Sequence, residues 1–278
     1  MARARIYHAL RNQLGSIRNV YLRGNTIERR DDFSTFSETV LLLHGFFQTR
    51  NIWEVMETRL RRDGYGVLSL NLGGLLWRYN TRSIYKQGAF LAEKMEAISH
   101  KYGLKGFHVV GHSMGGLVAR HYIQRHGGDR RVKSLVTLGT PHHGTPTALL
   151  GVALMGGGLL STSPMQMLPR SKLLRQLHEE GFPPQIPLTS IYSKQDLICP
   201  WWASVLHPSL GEKEIRSIEL RGVGHSELTA HPRIYNKVRE HLERASALWE
   251  EKGGHAEAPG GKDLYDSSIK QQEARSSG

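Results

Sequence analysis

A chain of 278 residues with 39% apolar side chains can bury a substantial core, and no run in it reaches the roughly 18 to 20 apolar residues needed to cross a bilayer. Lysine and arginine (37) outnumber aspartate and glutamate (25), giving a net charge of +12, but they are spread along the chain without a recognisable nucleic-acid module, so nucleic acid is not an expected partner. One cysteine, Cys199, excludes an internal disulfide; with a basic N-terminus that lacks an apolar signal core, it gives the expectation of a cytoplasmic protein.

Residues 1–37 read as a basic extension in which Leu10, Leu14 and Ile17 have helical spacing, suited to packing on the main body or to touching an anionic membrane surface. The run Thr39 to Leu43 is apolar throughout, as in a strand buried on both faces, and it ends in His44-Gly45-Phe46-Phe47. Asn51 is placed to cap a helix through Leu60 that stops at Asp63-Gly64. Tyr65 to Leu70 is the next strand, with a glycine-rich loop at Gly73-Gly74 behind it. A helix over about 83–100 then turns Ile84, Phe90, Leu91, Met95 and Ile98 inward.

Phe107 to Val110 is a further strand, leading into Gly111-His112-Ser113-Met114-Gly115 and a helix that closes at Gly127-Gly128. Val132 to Leu138 follows as a strand ending in Gly139-Thr140-Pro141-His142-His143-Gly144-Thr145. Strands alternating with helices and joined by right-handed crossovers give a mostly parallel sheet covered on both faces. In such sheets function collects at the carboxyl ends of the strands.

Residues 146–185 break the rhythm. The apolar, glycine-rich piece from Ala148 to Leu160 is too short to span a membrane, and its three consecutive glycines suit a hinge, so the expectation is a lid over the site. Pro187 to Ser193 and Glu214 to Leu220 return to strand, and Pro232 opens a last helix carrying Ile234, Val238, His241 and Leu242. The α/β domain is expected over 38–245, and residues 246–278, with little to bury, as a disordered tail.

The pattern G-x-S-x-G alone arises by chance in roughly one chain in ten of this length. Here its context carries weight. A serine on a tight strand-to-helix turn has its hydroxyl lifted above the sheet, and a side chain at either flanking glycine would strike a neighbour. Its hydroxyl needs a base, and the base needs a third group to hold its tautomer. His225, in a glycine-flanked loop after the last strand, is the expected base, and Asp196, after the preceding strand, the expected orienting acid. The order Ser, Asp, His is that of the α/β hydrolases.

The competing histidines suit other tasks: His112 packs under the turn, His44 braces a loop, and adjacent His142 and His143 diverge. Glu227 is close enough in sequence to His225 to support it. No cysteine cluster and no His-x-x-x-His helix is present, so no metal and no cofactor is expected. An oxyanion formed at Ser113 needs two N–H donors, which Met114 and, most simply, Phe46 can supply from the backbone.

The residues His44-Gly45-Phe46, Gly111 to Gly116 and Leu138 to Thr145, with Asp196 and His225 in order, resemble the bacterial triacylglycerol lipase and esterase branch of the α/β hydrolases. The resemblance covers about 39–242. It implies ester hydrolysis through an acyl-enzyme, with Ser113, Asp196 and His225 as the triad and the Phe46 and Met114 amides as the oxyanion hole. Phe47, Trp77, Leu149 and Leu154 are the candidates for the acyl-binding wall, beside Phe46. The rival readings are an acyltransferase or amidase using the same triad, and a non-catalytic protein that binds lipid or a membrane surface on this fold.

Overall fold

The computed structural model describes residues 32–73, 80–207 and 214–253. The expected N-terminal helix, Trp77 and most of the expected tail lie outside them. Six strands form one sheet in the order β2-β1-β3-β4-β5-β6, every neighbouring pair parallel. They are β1 (Thr39–Leu43), β2 (Gly66–Ser69), β3 (Phe107–His112), β4 (Val132–Leu138), β5 (Leu188–Ser193) and β6 (Ile215–Leu220). This is the parallel sheet expected from the alternation of elements, and the α/β-hydrolase arrangement that the motif resemblance implies.

The continuous apolar runs explain the sheet's place in the middle of the molecule. Successive residues of a strand face opposite sides. Accordingly, Leu41, Leu43 and Val109 join one core with Leu91, Met95, Leu117 and Val118, while Val40, Leu42 and Val110 join a second with Trp53, Met56, Leu60, Val238 and Leu242. The first core lies under α2 (Ile84–Tyr102) and α3 (Met114–Arg125); the second lies under α1 (Glu54–Arg62) and α8 (Pro232–Glu251).

Three details differ from the sequence reading. Asn51 is not the cap: Thr49 accepts its N–H, and a 3-10 turn over Arg50–Trp53 precedes α1. Phe90 is only half-buried and does not join the core, whereas Ile98, also half-buried, packs against it beside Ile84, Leu91 and Met95. The final helix runs on to Glu251, past the expected domain end at 245, with Ser246 bonded to His108 and the Trp249 ring under Lys133 still on the body.

Residues 146–185 carry three short helices, α4 (Ala148–Leu154), α5 (Ser163–Gln166) and α6 (Lys172–Glu179). Gly156, Gly157 and Gly158 all have positive φ (60°, 67° and 104°), a conformation that glycine adopts without strain. A short α7 (Trp201–Ser204) follows β5. Among the described residues no helix is long and apolar enough to cross a membrane.

Where β1 is flanked by β2 on one side and β3 on the other, the chain's direction of travel across the sheet reverses. The carboxyl ends of β1 and β3 therefore border a crevice. At the other end of the sheet a polar cluster ties the strand starts together. Lys133 donates to both oxygens of Glu38 at 2.9 Å, and Nε2 of buried His108 lies 3.2 Å from the same carboxylate. The His108 ring also meets Ser134 of β4 at 2.7 Å and Ser246 of α8 at 3.0 Å.

Burial opposes the charge on Glu38, but the bonds and charges of His108 and Lys133 outweigh it and hold the carboxyl at about 2, against 4.5 ordinarily. A depressed carboxyl contributes stability that is present above the unfolded value and is lost as pH falls through the folded one. With partial exposure discounting the effect to roughly 1 kcal/mol, Glu38→Gln should lower Tm at pH 7 by about 2 to 4 °C. Circular-dichroism melts should show that gap closing between pH 4.5 and 2. A gap independent of pH would remove the ion cluster from the account.

Candidate active site

Ser113 sits between β3 and α3 with φ 54° and ψ −125°, a strained conformation for a residue with a side chain. Its neighbours leave it little choice. A Cβ added to Gly115 would lie 2.2 Å from the Leu43 carbonyl oxygen, one on Gly116 2.2 Å from Thr140 Oγ1, and one on Gly111 2.6 Å from Gly116 Cα. The glycines let α3 press against β1, β3 and β4 at once, and the serine is the residue left at the apex. Ser113 N–H donates to the Leu138 carbonyl at 2.8 Å, fixing the turn to β4.

The loop after β5 brings in the acid. Asp196 is buried; its Oδ1 accepts the N–H groups of Ile198 (2.9 Å) and Cys199 (2.8 Å), and its Oδ2 lies 2.7 Å from His225 Nδ1. Two backbone bonds thus aim the carboxylate, and its free oxygen holds the imidazole with Nε2 turned away from the acid. The loop carrying His225 is closed by Glu227, whose Oε2 accepts Gly224 N–H at 2.7 Å. Gly139, at φ 55°, lets this pair approach the end of β4: a Cβ there would come 3.0 Å from Asp196 Oδ2 and 3.2 Å from His225 Nδ1.

Ser113 and His225 line one cavity of about 660 Å³. No hydrogen bond joins them among the described residues. Bonds of this kind are often long before a substrate engages and tighten when it does.

The other histidines brace the site. His112 lies under the turn with Nδ1 3.0 Å from Gln48 Oε1 and Nε2 3.0 Å from the His225 carbonyl, and burial drives its pKa well down. His44 accepts Leu72 N–H at Nε2 (3.5 Å), and burial lowers its pKa to about 4. His142 meets Thr137 and Arg120, whereas His143 reaches the Val205 carbonyl and stacks on His178. These two adjacent rings do diverge.

The Phe46 and Met114 N–H groups make no hydrogen bond among the described residues, whereas Phe47 N–H is taken by the Asn80 carbonyl. Phe46 and Phe47 line the cavity, as do Leu150, Leu154, Met155 and Leu160 from the lid segment and Leu197 and Ile198 from the far side. Of the expected wall residues, Phe47 and Leu154 therefore face it. Leu149 does not: it is 58% exposed and outside the lining, because the short α4 turns it to the outer side.

Two groups at the site left no periodic signal in the sequence. Gln48 Oε1 accepts Gly45 N–H at 2.8 Å beside His112, and Cys199 is a buried thiol on the cavity wall whose pKa burial pushes up. Among the described residues no three His, Cys, Asp or Glu side chains converge as metal ligands would.

Residues 38–158 match the family model of the alpha/beta hydrolase fold. Over 118 residues, 40% of this chain, the sequence is 30% identical to a protein of Arabidopsis thaliana described as probable lysophospholipase BODYGUARD 3; the match spans 23% of that relative's length. Among solved structures, the mature form of Bacillus licheniformis lipase BlEst2 superposes with a TM-score of 0.59 at 14% identity, over 74% of this chain and 91% of that one. The Paleococcus ferrophilus monoacylglycerol lipase does so with a TM-score of 0.54 at 17% identity, over 77% and 97%. At these identities the likeness is one of fold.

The packing at the apex gives a direct check. Gly115→Ala must push a methyl group into backbone, not into a movable side chain, so it should cost about 3 kcal/mol or more. Chemical denaturation would show it, and an unchanged midpoint would mean that the elbow is looser than these distances imply.

Proposed function

We propose that this chain, an α/β hydrolase by its fold and by that family match, is a serine carboxylic-ester hydrolase acting on esters with a long apolar acyl chain. The observation that carries the reading is His225, held by Asp196, opening with Ser113 onto one cavity walled mainly by apolar side chains. The amides of Phe46 and Met114, which make no hydrogen bond among the described residues, and the strained Ser113 backbone support it.

In this mechanism Ser113 Oγ attacks the ester carbonyl carbon while His225 Nε2 takes its proton. Asp196 holds the imidazole in the required tautomer and stabilises the imidazolium. The carbonyl oxygen, now negative, accepts from the Phe46 and Met114 N–H groups, each such donor being worth about 3 to 4 kcal/mol in the transition state. The C–O bond to the alcohol breaks and His225 protonates the leaving oxygen, giving an acyl-enzyme at Ser113. Water, deprotonated by His225, attacks that ester; collapse releases the carboxylic acid and restores Ser113. No cofactor enters these steps. Capture of the acyl group by an alcohol or amine in place of water is the rival chemistry on the same residues.

A second observation bears on where the ester comes from. Of the exposed large apolar side chains among the described residues, all but Val55 lie within 149–165 or 197–202. Those segments form two sides of the cavity mouth, and the hydroxyl of Thr147 joins them by donating to the Ile198 carbonyl at 2.5 Å. Concentrated, rather than scattered, exposure of this kind marks a contact surface. We read this rim, in a chain of net charge +12, as the face that meets an anionic lipid surface.

Hydrolysis of p-nitrophenyl esters from acetate to palmitate should be readily measurable, and Ser113→Ala should reduce it to background. Asp196→Asn, which leaves the shape but loses the tautomer, should lower kcat by roughly 10⁴-fold. A flat background at every chain length would sink the reading. For the rim, sedimentation with phosphatidylcholine vesicles with and without phosphatidylglycerol should show binding that rises with the anionic lipid and weakens on Leu159→Glu. Equal recovery in every supernatant would reject it.

A further inference from the structure

The Phe46 amide is only as well aimed as the loop that carries it, and that loop is held by a residue 36 positions beyond its start. The carbonyl of Asn80 accepts Phe47 N–H at 2.8 Å, its N–H donates to the Gln48 carbonyl at 3.2 Å, and its side-chain Nδ2 donates to the His44 carbonyl at 3.1 Å. The side chain is fully buried. On the other face of the loop, Gln48 Oε1 takes Gly45 N–H at 2.8 Å. The His44–Gly45 peptide is thus gripped at both its C=O and its N–H, one residue before the Phe46 amide. Phe47 itself has φ 55°, a strained state that persists only where the surroundings fix it.

The clip is anchored in turn. Beyond Asn80, the Thr81 carbonyl accepts from the Ser161 hydroxyl, Ile84 N–H donates to Gln166 Oε1 at 2.7 Å, and Gln166 Nε2 donates to Ser83 Oγ at 3.0 Å. One short segment therefore joins the loop of the oxyanion donor to the base of the lid. Among the described residues Asn80 Oδ1 has no hydrogen-bond partner, and it is buried. A carboxamide with one half unused is costly to bury, so its retention points to the task of the other half, the donation to His44.

We propose that Asn80 is a positioning residue of the oxyanion hole: its Nδ2 fixes the His44 carbonyl and thereby aims the Phe46 N–H at the developing oxyanion. The proposal rests on the ester-hydrolase reading above. In Asn80→Ala the two backbone bonds remain and only the side-chain donor is lost, so the loop gains a rotation and not a new fold. Small misplacement of a transition-state donor lowers turnover by about 10- to 100-fold and leaves ground-state binding nearly untouched.

The test is steady-state hydrolysis of p-nitrophenyl butyrate by the whole chain and by its Asn80→Ala and Asn80→Asp variants, with folding followed by circular dichroism. The expected result is kcat down by roughly 10- to 100-fold in Asn80→Ala with KM within about twofold. In Asn80→Asp the introduced carboxyl can donate to the His44 carbonyl only when protonated. Its kcat relative to wild type should therefore climb as pH falls, a response that loss of packing alone does not give. Folded variants with wild-type kcat, or a deficit in Asn80→Asp that ignores pH, would overturn the proposal. Failure of both variants to fold would do so too, by making Asn80 a residue of the core. A wild-type chain inactive on this ester and on the whole acetate-to-palmitate series would instead remove the ester-hydrolase reading beneath it; where only a longer ester is turned over, the variants are compared on that one.

Discussion

The structure depends on how closely backbone can approach backbone beneath Ser113. Three glycines, Gly111, Gly115 and Gly116, let the first turn of α3 settle against the ends of β1, β3 and β4, with distances that no Cβ would allow. The serine cannot relax to an ordinary φ without lifting that helix off the sheet. Strain is therefore held at one residue by packing distributed over many, in the way functional sites commonly store it. The same contact leaves the helix's first N–H groups directed towards the space over the sheet, where a negative oxygen would be stabilised.

Around this fixed point the molecule separates into a rigid part and a compliant part. The rigid part is polar and hydrogen-bonded: Asp196 spends one oxygen on two backbone amides and the other on His225, and His112 lies between Gln48 and the backbone of that same His225. Burial keeps His44 and His112 neutral, so in the proposed mechanism neither would compete with His225 for the developing anion. The compliant part is apolar: α4 presents exposed leucines and ends in a run of glycines, while Ser161, Ser163 and Gln166 fasten its far end to the segment from Thr81 to Ile84. The cover is thus tethered at both ends, by Thr147 to the Ile198 carbonyl and by Ser161 and Gln166 to the Thr81–Ile84 segment, with the exposed leucines and the glycines between.

Much of this was legible in the sequence, for identifiable reasons. Thr39–Leu43 and Val132–Leu138 were bounded correctly because uninterrupted apolar runs between turn residues leave a strand little room to shift. Asp196 and His225, 29 positions apart, are brought together because both follow neighbouring parallel strands, β5 and β6, whose carboxyl ends lie side by side. What could not be read depends on single side chains acting across loops. Gln48 and Asn80 have no periodicity and ordinary chemistry, and only their long-range bonds, to His112 and to His44, reveal a task. Leu149 failed as a wall residue because apolar character fixes neither which side of a short helix faces inward nor how that helix is turned. Thr49 displaced Asn51 as cap because a 3-10 turn precedes α1, a detail invisible to helical spacing.

The central claim is that Ser113, served by His225 and Asp196, is an activated nucleophile. It is tested most directly by labelling the folded chain with a fluorophosphonate and mapping the adduct by peptide mass spectrometry. The account predicts a single adduct on Ser113, abolished in Ser113→Ala and strongly slowed in His225→Ala. A folded chain that takes no label, or takes it on another serine at an equal rate in His225→Ala, would contradict it.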